Sequence, residues 1–237
     1  MRRHSQGVTY KDEFLAERIA KLERDDPERV IRALEPFVTD RRRQRLEAML
    51  DRRLSSVVVA FESPHDPHNG AAVMRSCEAF GVQTLHVIEE EEPFVSAGTV
   101  SRSAEKWIDV VTHATIAHGV RAVRSGDYEL VAAHPDGALE PTDLAEIPRL
   151  CIVLGNERNG IGAELMAACK RAVRVPMRGF VESLNVSVTA AILLSSATRH
   201  RTGDLGRADR TRLYARGLYL SIPHADSYLG SGARTPK

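Results

Sequence analysis

Apolar residues recur along this chain with two different rhythms, and the change between them divides it. Over residues 1–53 the spacing is helical. Phe14, Leu15, Ile19 and Leu22 fall three to four residues apart, and Val30, Ile31, Leu34 and Val38 repeat the pattern. Pro27 and Pro36 punctuate this stretch. From Ser56 onward short apolar runs take over. Val57 to Phe61, Thr84 to Ile88, Trp107 to Val111, Glu129 to Ala133, Leu150 to Leu154 and Ala172 to Val175 each predict a strand. The segments between them predict helices. The first follows the polar loop Ser63 to His68, carries Ala71, Val73, Met74, Cys77 and Phe80, and ends at Gly81. Others are expected over 114–125, over 161–170 and over 184–200, the last with Leu184, Val188, Ala191, Ile192 and Ser195 on one face. The acidic run Glu89 to Glu92 predicts a solvated loop. Strands alternating with helices predict an α/β fold, a mostly parallel sheet with helices on both faces. Three regions follow: a helical, basic extension over 1–53, an α/β domain over 54–202, and a basic tail over 203–237.

Composition narrows the class. At 43% hydrophobic and 27% charged, the 237 residues are those of a folded chain rather than a disordered one. The formal net charge is only +1, so total charge does not mark a nucleic-acid partner; its distribution does more. Arg41, Arg42, Arg43, Arg45, Arg52 and Arg53 precede the α/β region. Arg199, Arg201, Arg207, Arg210, Arg212 and Arg216 follow it, opposed only by Asp204 and Asp209. Two readings stay open for these clusters: solvated helix faces, or phosphate contacts to RNA. Cys77, Cys151 and Cys169 are widely spaced in apolar surroundings, which predicts reduced, buried thiols in a cytoplasmic protein. No CxxC or Cys/His cluster suggests a metal. Met1 to Ala20 lacks an apolar core, so no signal peptide is expected, and no run of about 18 apolar residues predicts a membrane span.

Three loops that follow predicted strands hold the candidate chemistry, where ligands gather in open α/β sheets. The first leads into His68-Asn69-Gly70-Ala71-Ala72-Val73-Met74-Arg75. Asn69 suits a helix cap, whereas Arg75 among apolar neighbours must snorkel, pair or face a site. The second runs from Leu154-Gly155-Asn156-Glu157 to Gly162. A P-loop needs Lys and Ser or Thr after its second glycine, and Ile161 and Gly162 stand there instead. A dinucleotide fingerprint needs a later glycine where Leu165 stands. The third runs from Val175-Pro176-Met177 through Ser183-Leu184-Asn185-Val186-Ser187, where Ser183 suits the cap of a helix beginning near Leu184.

Together and in this order the loops resemble the SPOUT methyltransferases, and among them the TrmH-type RNA ribose 2′-O-methyltransferases. Asn69, Ala72 and Arg75 match the motif N-x-x-A-x-x-R. Gly155, Glu157 and Gly160 match G-x-E-x-x-G after an apolar strand. Val175, Pro176, Met177, Gly179 and Ser183 to Ser187 match the third motif, which ends in SLNVS. The resemblance covers roughly residues 41–202. It implies a deep trefoil knot in the C-terminal part of the sheet, a feature that sequence rhythm alone would exclude. It also implies S-adenosyl-L-methionine bound in the knot loops near Ala133, Gly155, Val175, Met177 and Leu184, and a homodimer. Arg75 would activate the ribose hydroxyl, either as the base or as a cation stabilising the forming alkoxide. Asn69 and Asn185 would position Arg75 and the ribose, Glu157 would brace the glycine loop, and Ser183 would shape the cofactor pocket.

The implied partner is RNA, with no DNA and no membrane. Short extensions at both ends resemble the tRNA-specific members that methylate guanosine-18 in the D-loop, rather than ribosomal-RNA members with a larger N-terminal domain. His68, Arg41, Arg45, Arg199 and Arg201 are the candidate RNA contacts. Methylation of ribosomal RNA or of another tRNA position is the alternative within the class. Two alternatives lie outside it: a catalytically silent RNA-binding protein on the same fold, opposed by the intact set Asn69, Arg75, Glu157 and Asn185, and an unrelated nucleotide-binding oxidoreductase, opposed by the failed glycine fingerprint.

Overall fold

The computed structural model describes residues 26–89 and 104–230, together with Ile19 and Leu22. The expected recurrence at Phe14 and Leu15, the acidic residues Glu90 to Glu92 and the end of the tail lie outside the described residues. Two compact units emerge among the described residues, one built on Leu54–Arg201 and the other on those up to Arg53 together with those from Thr202 onward.

The first unit is a six-stranded parallel sheet in the order β3-β2-β1-β5-β4-β6. Its strands are β1 (Leu54–Glu62), β2 (Val82–Ile88), β3 (Asp109–His113), β4 (Glu129–Ala133), β5 (Leu150–Leu154) and β6 (Arg171–Val173). Central Val59 lies opposite Leu85 on one side and Ile152 on the other. β5 is buried at every residue, which is why it reads as an unbroken apolar run. Alternate side chains divide between two cores. Val57, Val59, Phe61, Ile152 and Leu154 pack with Val73, Met74 and Cys77 of α3 (Pro67–Ala79) and with Ala190, Leu193 and Leu194 of α6 (Val186–Thr198). Val58, Ala60, Cys151 and Val153 pack with Ile116 and Val123 of α4 (Ile116–Ser125) and with Leu165 of α5 (Ala163–Ala168).

Several expectations shift. The third strand is Asp109–His113, with Trp107 in the turn before it, and the last is Arg171–Val173. Cys77 and Cys151 are buried as expected, but Cys169 is only half-buried. The long helix begins at Val186, so Ser183 and Leu184 precede it. Its cap is Asn185, whose side chain accepts from the Ser187 backbone N–H, and not Ser183. The face chosen for that helix is also not the buried one: Ala190, Leu193, Leu194 and Ala197 are buried, whereas Val188 is 46% exposed. The helix is apolar nearly all round, so its periodicity carries no direction.

The second unit joins both ends of the chain, which the sequence presented as separate extensions. It contains α1 (Pro27–Leu34), α2 (Asp40–Leu50), α7 (Arg207–Ser221) and α8 (Ala225–Gly230). The Tyr214 hydroxyl donates to the Glu35 carboxylate at 2.7 Å, Arg42 Nε to Ser221 Oγ at 2.8 Å, and Arg210 pairs with Asp51 at 2.7 Å. Gly217 lets α7 approach α2, because a Cβ there would stand 2.8 Å from the Leu46 side chain. Arg53 and Arg216 are buried in this unit, so the basic clusters are not uniformly solvent-facing. No described helix is long and apolar enough to cross a membrane.

Candidate active site

The carboxyl ends of β4, β5 and β6 open onto one cavity of about 440 Å³. Each strand delivers a loop whose sequence explains its shape. After β5 the chain folds back on itself: Asn156 N–H donates to the Gly160 carbonyl at 3.0 Å, and Gly160 N–H to the Asn156 carbonyl at 3.1 Å. The Asn156 side chain accepts from the backbone N–H of Arg158 and Asn159. Gly160 takes a φ of 68°, and a Cβ on Gly155 would lie 2.1 Å from the Gly160 carbonyl carbon. Beyond this turn, Glu62 at the end of β1 accepts from the Gly162 N–H at 2.7 Å. After β4, His134 N–H donates to the Val173 carbonyl and Leu139 N–H to that of Ala172, which draws this loop against β6.

Ala133, Gly155, Val175, Met177 and Leu184, all expected at the cofactor, line this cavity, and Ser183 joins them. Its chemistry suits S-adenosylmethionine. Val173, Val175, Met177 and Leu184 offer apolar surface to a flat adenine, and the exposed glycine turn offers backbone polar groups. The Glu157 and Glu182 carboxylates complement a ligand that carries positive charge on sulfur and on its amino group.

At the rim a chain of hydrogen bonds ties the three loops together. Asn69 Nδ2 donates to Glu157 Oε1 at 2.7 Å, and Asn185 Nδ2 donates to Asn69 Oδ1 at 2.9 Å. Asn185 Oδ1 then accepts from the Ser187 N–H and hydroxyl. Asn69 is only 8% exposed, so its amide needs these partners. Asn156 and Glu62 also brace the glycine loop, and sequence reasoning passed them over. The signal for Glu62 was a carboxylate continuing an apolar strand directly after Phe61.

Arg75 stands apart from this chain. It is exposed on α3 and, with Ala72, Ser76 and Ala79, lines a second, larger groove against Ser187, Val188 and Ala191 of α6. Among the described residues its guanidinium makes no hydrogen bond or ion pair, so Asn69 and Asn185 do not hold it within this chain. Arg75 lies six positions after Asn69, which places them on different faces of the helix. The expected RNA contacts also divide. His68, Arg41, Arg45 and Arg199 are exposed. Arg201 is not available: all five N–H groups of its guanidinium are directed at protein acceptors, namely Ser56 Oγ and the carbonyls of Ala197, Pro148, Leu144 and Ile147. It closes the carboxyl end of α6 onto the 3-10 turn Pro141–Glu146, a structural role that replaces the expected phosphate contact.

Residues 56–195 match the SpoU rRNA Methylase family, more than half of the chain. The chain belongs to that family. SpoU methylases use S-adenosylmethionine, in keeping with the lining of the cavity. The tRNA (guanosine(18)-2'-O)-methyltransferase of Escherichia coli (strain K12) is 32% identical over 158 residues, covering 66% of this SpoU-family chain and 69% of that protein. The crystal structure of the Aquifex aeolicus TrmH/SpoU tRNA modifying enzyme superposes with a TM-score of 0.69 at 22% identity, over 78% of this chain and 98% of that one. An AdoMet-bound rRNA methyltransferase from Sinorhizobium meliloti gives 0.55 at 26% identity, over 63% and 58%.

Proposed function

We propose that this SpoU-family enzyme methylates the ribose 2′-hydroxyl of guanosine-18 in tRNA. The observation that carries the reading is the Glu157–Asn69–Asn185 chain of hydrogen bonds at the mouth of the cavity lined by Ala133, Gly155, Val175, Met177 and Leu184. It sets fixed polar groups beside the place where a cofactor methyl would be presented. The relative with that activity supports the choice of tRNA over ribosomal RNA. When bound, S-adenosylmethionine supplies a methyl group on a sulfonium sulfur. The chain's own part is to hold the ribose oxygen in line and to exclude water, so positioning carries much of the rate.

The hydroxyl must also lose its proton, and Arg75 serves there as base or as the cation beside the forming alkoxide. Because Arg75 opens onto the apolar groove between α3 and α6 rather than onto the Asn69 chain, this reading includes a homodimer. A second copy seated on Val188, Ala191 and Ile192 would cover that groove and surround Arg75. A trefoil knot through the loops after β5 and β6 belongs to the same reading, supported by their close wrapping around one cavity. A tRNA substrate in turn implies the cytoplasm.

The test is transfer from labelled S-adenosylmethionine to unmodified tRNA transcripts, with the modified nucleotide mapped. Label on the 2′-oxygen of guanosine-18, lost in Arg75→Ala and not restored in Arg75→Lys, is expected. Label confined to ribosomal RNA would overturn the substrate. Near-normal rates in Arg75→Lys would refute both roles of the guanidinium, because a lysine has no planar fork.

A further inference from the structure

Beside the cofactor cavity lies a second, smaller one of about 350 Å³, lined by His65, Asp66, Asn69, Glu157, Arg158 and Asn185. The two cavities share Glu157 and Asn185 as a common wall. His65, Asp66 and Arg158 line the smaller cavity and not the cofactor cavity. We propose that this cavity receives the target guanosine and that the Asp66 carboxylate selects it, accepting from the base N1–H and N2–H. The inference rests on the tRNA guanosine reading above and adds the residue that chooses the base.

The loop holds Asp66 ready for that task. One carboxylate oxygen caps α3, accepting from the His68 N–H at 2.8 Å, and Pro67 fixes the first helical position. The other oxygen keeps its lone pairs, and the side chain is exposed to the cavity. An unpaired base is recognised by its Watson–Crick edge. Guanine presents two adjacent donors there. Adenine and cytosine present one donor beside a ring nitrogen acceptor, which would face the carboxylate lone pair to lone pair. Uracil presents one donor between two carbonyls. A carboxylate therefore matches guanine and repels the others.

Arg158 supplies the opposite charge. Its backbone N–H is held by the Asn156 side chain at 3.0 Å, and its side chain is exposed at the cavity with no ion pair among the described residues. It is placed to hold a phosphate flanking the target and to offset the two carboxylates nearby.

The test compares tRNA transcripts carrying guanosine, inosine or adenosine at the target position, with kcat/KM measured for wild type, Asp66→Asn and Arg158→Ala. Asparagine still caps the helix, so the first variant keeps the fold of the loop. Wild type is expected to favour guanosine over adenosine by about 100-fold or more, with inosine, which lacks the N2 amino group, between them. Asp66→Asn is expected to shrink the guanosine-to-adenosine ratio below about tenfold while cofactor affinity by equilibrium dialysis stays within about twofold. Arg158→Ala is expected to raise KM for each RNA alike and to leave the ratio intact. If Asp66→Asn methylates guanosine with the wild-type ratio, the inference is overturned and the tRNA reading stands. If wild type transfers no methyl to guanosine, both fall.

Discussion

Acid should unfold this protein through a buried pair of histidines on β2 and β3. His86 on β2 and His113 on β3 meet with His86 Nδ1 and His113 Nε2 2.9 Å apart, and their rings stack. Both are nearly inaccessible. Burial, and then the neighbouring His113, pushes the His86 pKa down from 6.5 to about 4. Burial, and then His118, pushes His113 down as well. In the neutral pair one ring nitrogen donates and the other accepts. A further proton makes one ring an imidazolium stripped of its hydration beside the other, and that burial cost disfavours it. In the unfolded chain His86 titrates near 6.5, so between pH 6.5 and about 4 the unfolded state holds the extra proton. Stability contributed by neutral His86 is therefore complete above that window and is lost as pH falls through it. The span corresponds to about 3 kcal/mol, a large share of a typical folding free energy. The assay is urea denaturation at pH 7.5 and pH 4.5 for wild type and His86→Gln. Glutamine can bond His113 but does not titrate. The variant should be less stable than wild type at pH 7.5 by about 1 kcal/mol, yet lose about 2–3 kcal/mol less on acidification. Equal acid losses in the two proteins would refute the assignment to His86.

Other substitutions probe the site and its support. Gly155→Ala places a methyl where Gly160 backbone stands, so the loop must open and methyl transfer should fall about 100-fold, seen at saturating cofactor. Asn69→Ala leaves Glu157 and Asn185 without their shared partner. It should cost about 1–3 kcal/mol in denaturant titration and abolish turnover, whereas wild-type turnover would show that the hydrogen-bond chain is dispensable. Arg201→Ala should lower stability by about 2–4 kcal/mol, because the carbonyls around it lose a charged donor. Its RNA affinity should not change at a salt concentration where the variant is fully folded; a flatter salt dependence would restore Arg201 as a phosphate contact.

Much of the central sheet was visible in the chain because burial on both faces writes itself as an uninterrupted apolar run. Leu150 to Leu154 is the plainest case, predicted and observed with the same bounds. The edges β3 and β6 shifted because neither is a clean apolar run: β3 is bounded by the buried polar residues Asp109 and His113, and β6 begins at exposed Arg171. The candidate site was visible for a different reason: close backbone approach demands glycine at Gly155, a positive φ favours it at Gly160, and the hydrogen bonds between the loops need the particular polar groups of Asn69, Glu157 and Asn185. Those demands are met residue by residue, so they survive as short motifs.

By itself, then, the sequence determined the alternation of strand and helix, the positions of the three loops and the residue types they present. Tertiary structure alone decided what those residues touch. Asn69 meets Glu157 across 88 positions and Asn185 across 116, while Arg75, only six residues from Asn69, faces elsewhere. It decided that Ala190, Leu193 and Leu194, and not Val188, Ala191 and Ile192, form the buried face of α6. It also turned Arg201 from a surface cation into a clamp on backbone carbonyls, and brought both ends of the chain into one helical unit. The physical reason is common to all of these. Local pattern records how a segment is periodically exposed, but a hydrogen bond or a packing partner depends on where the chain returns.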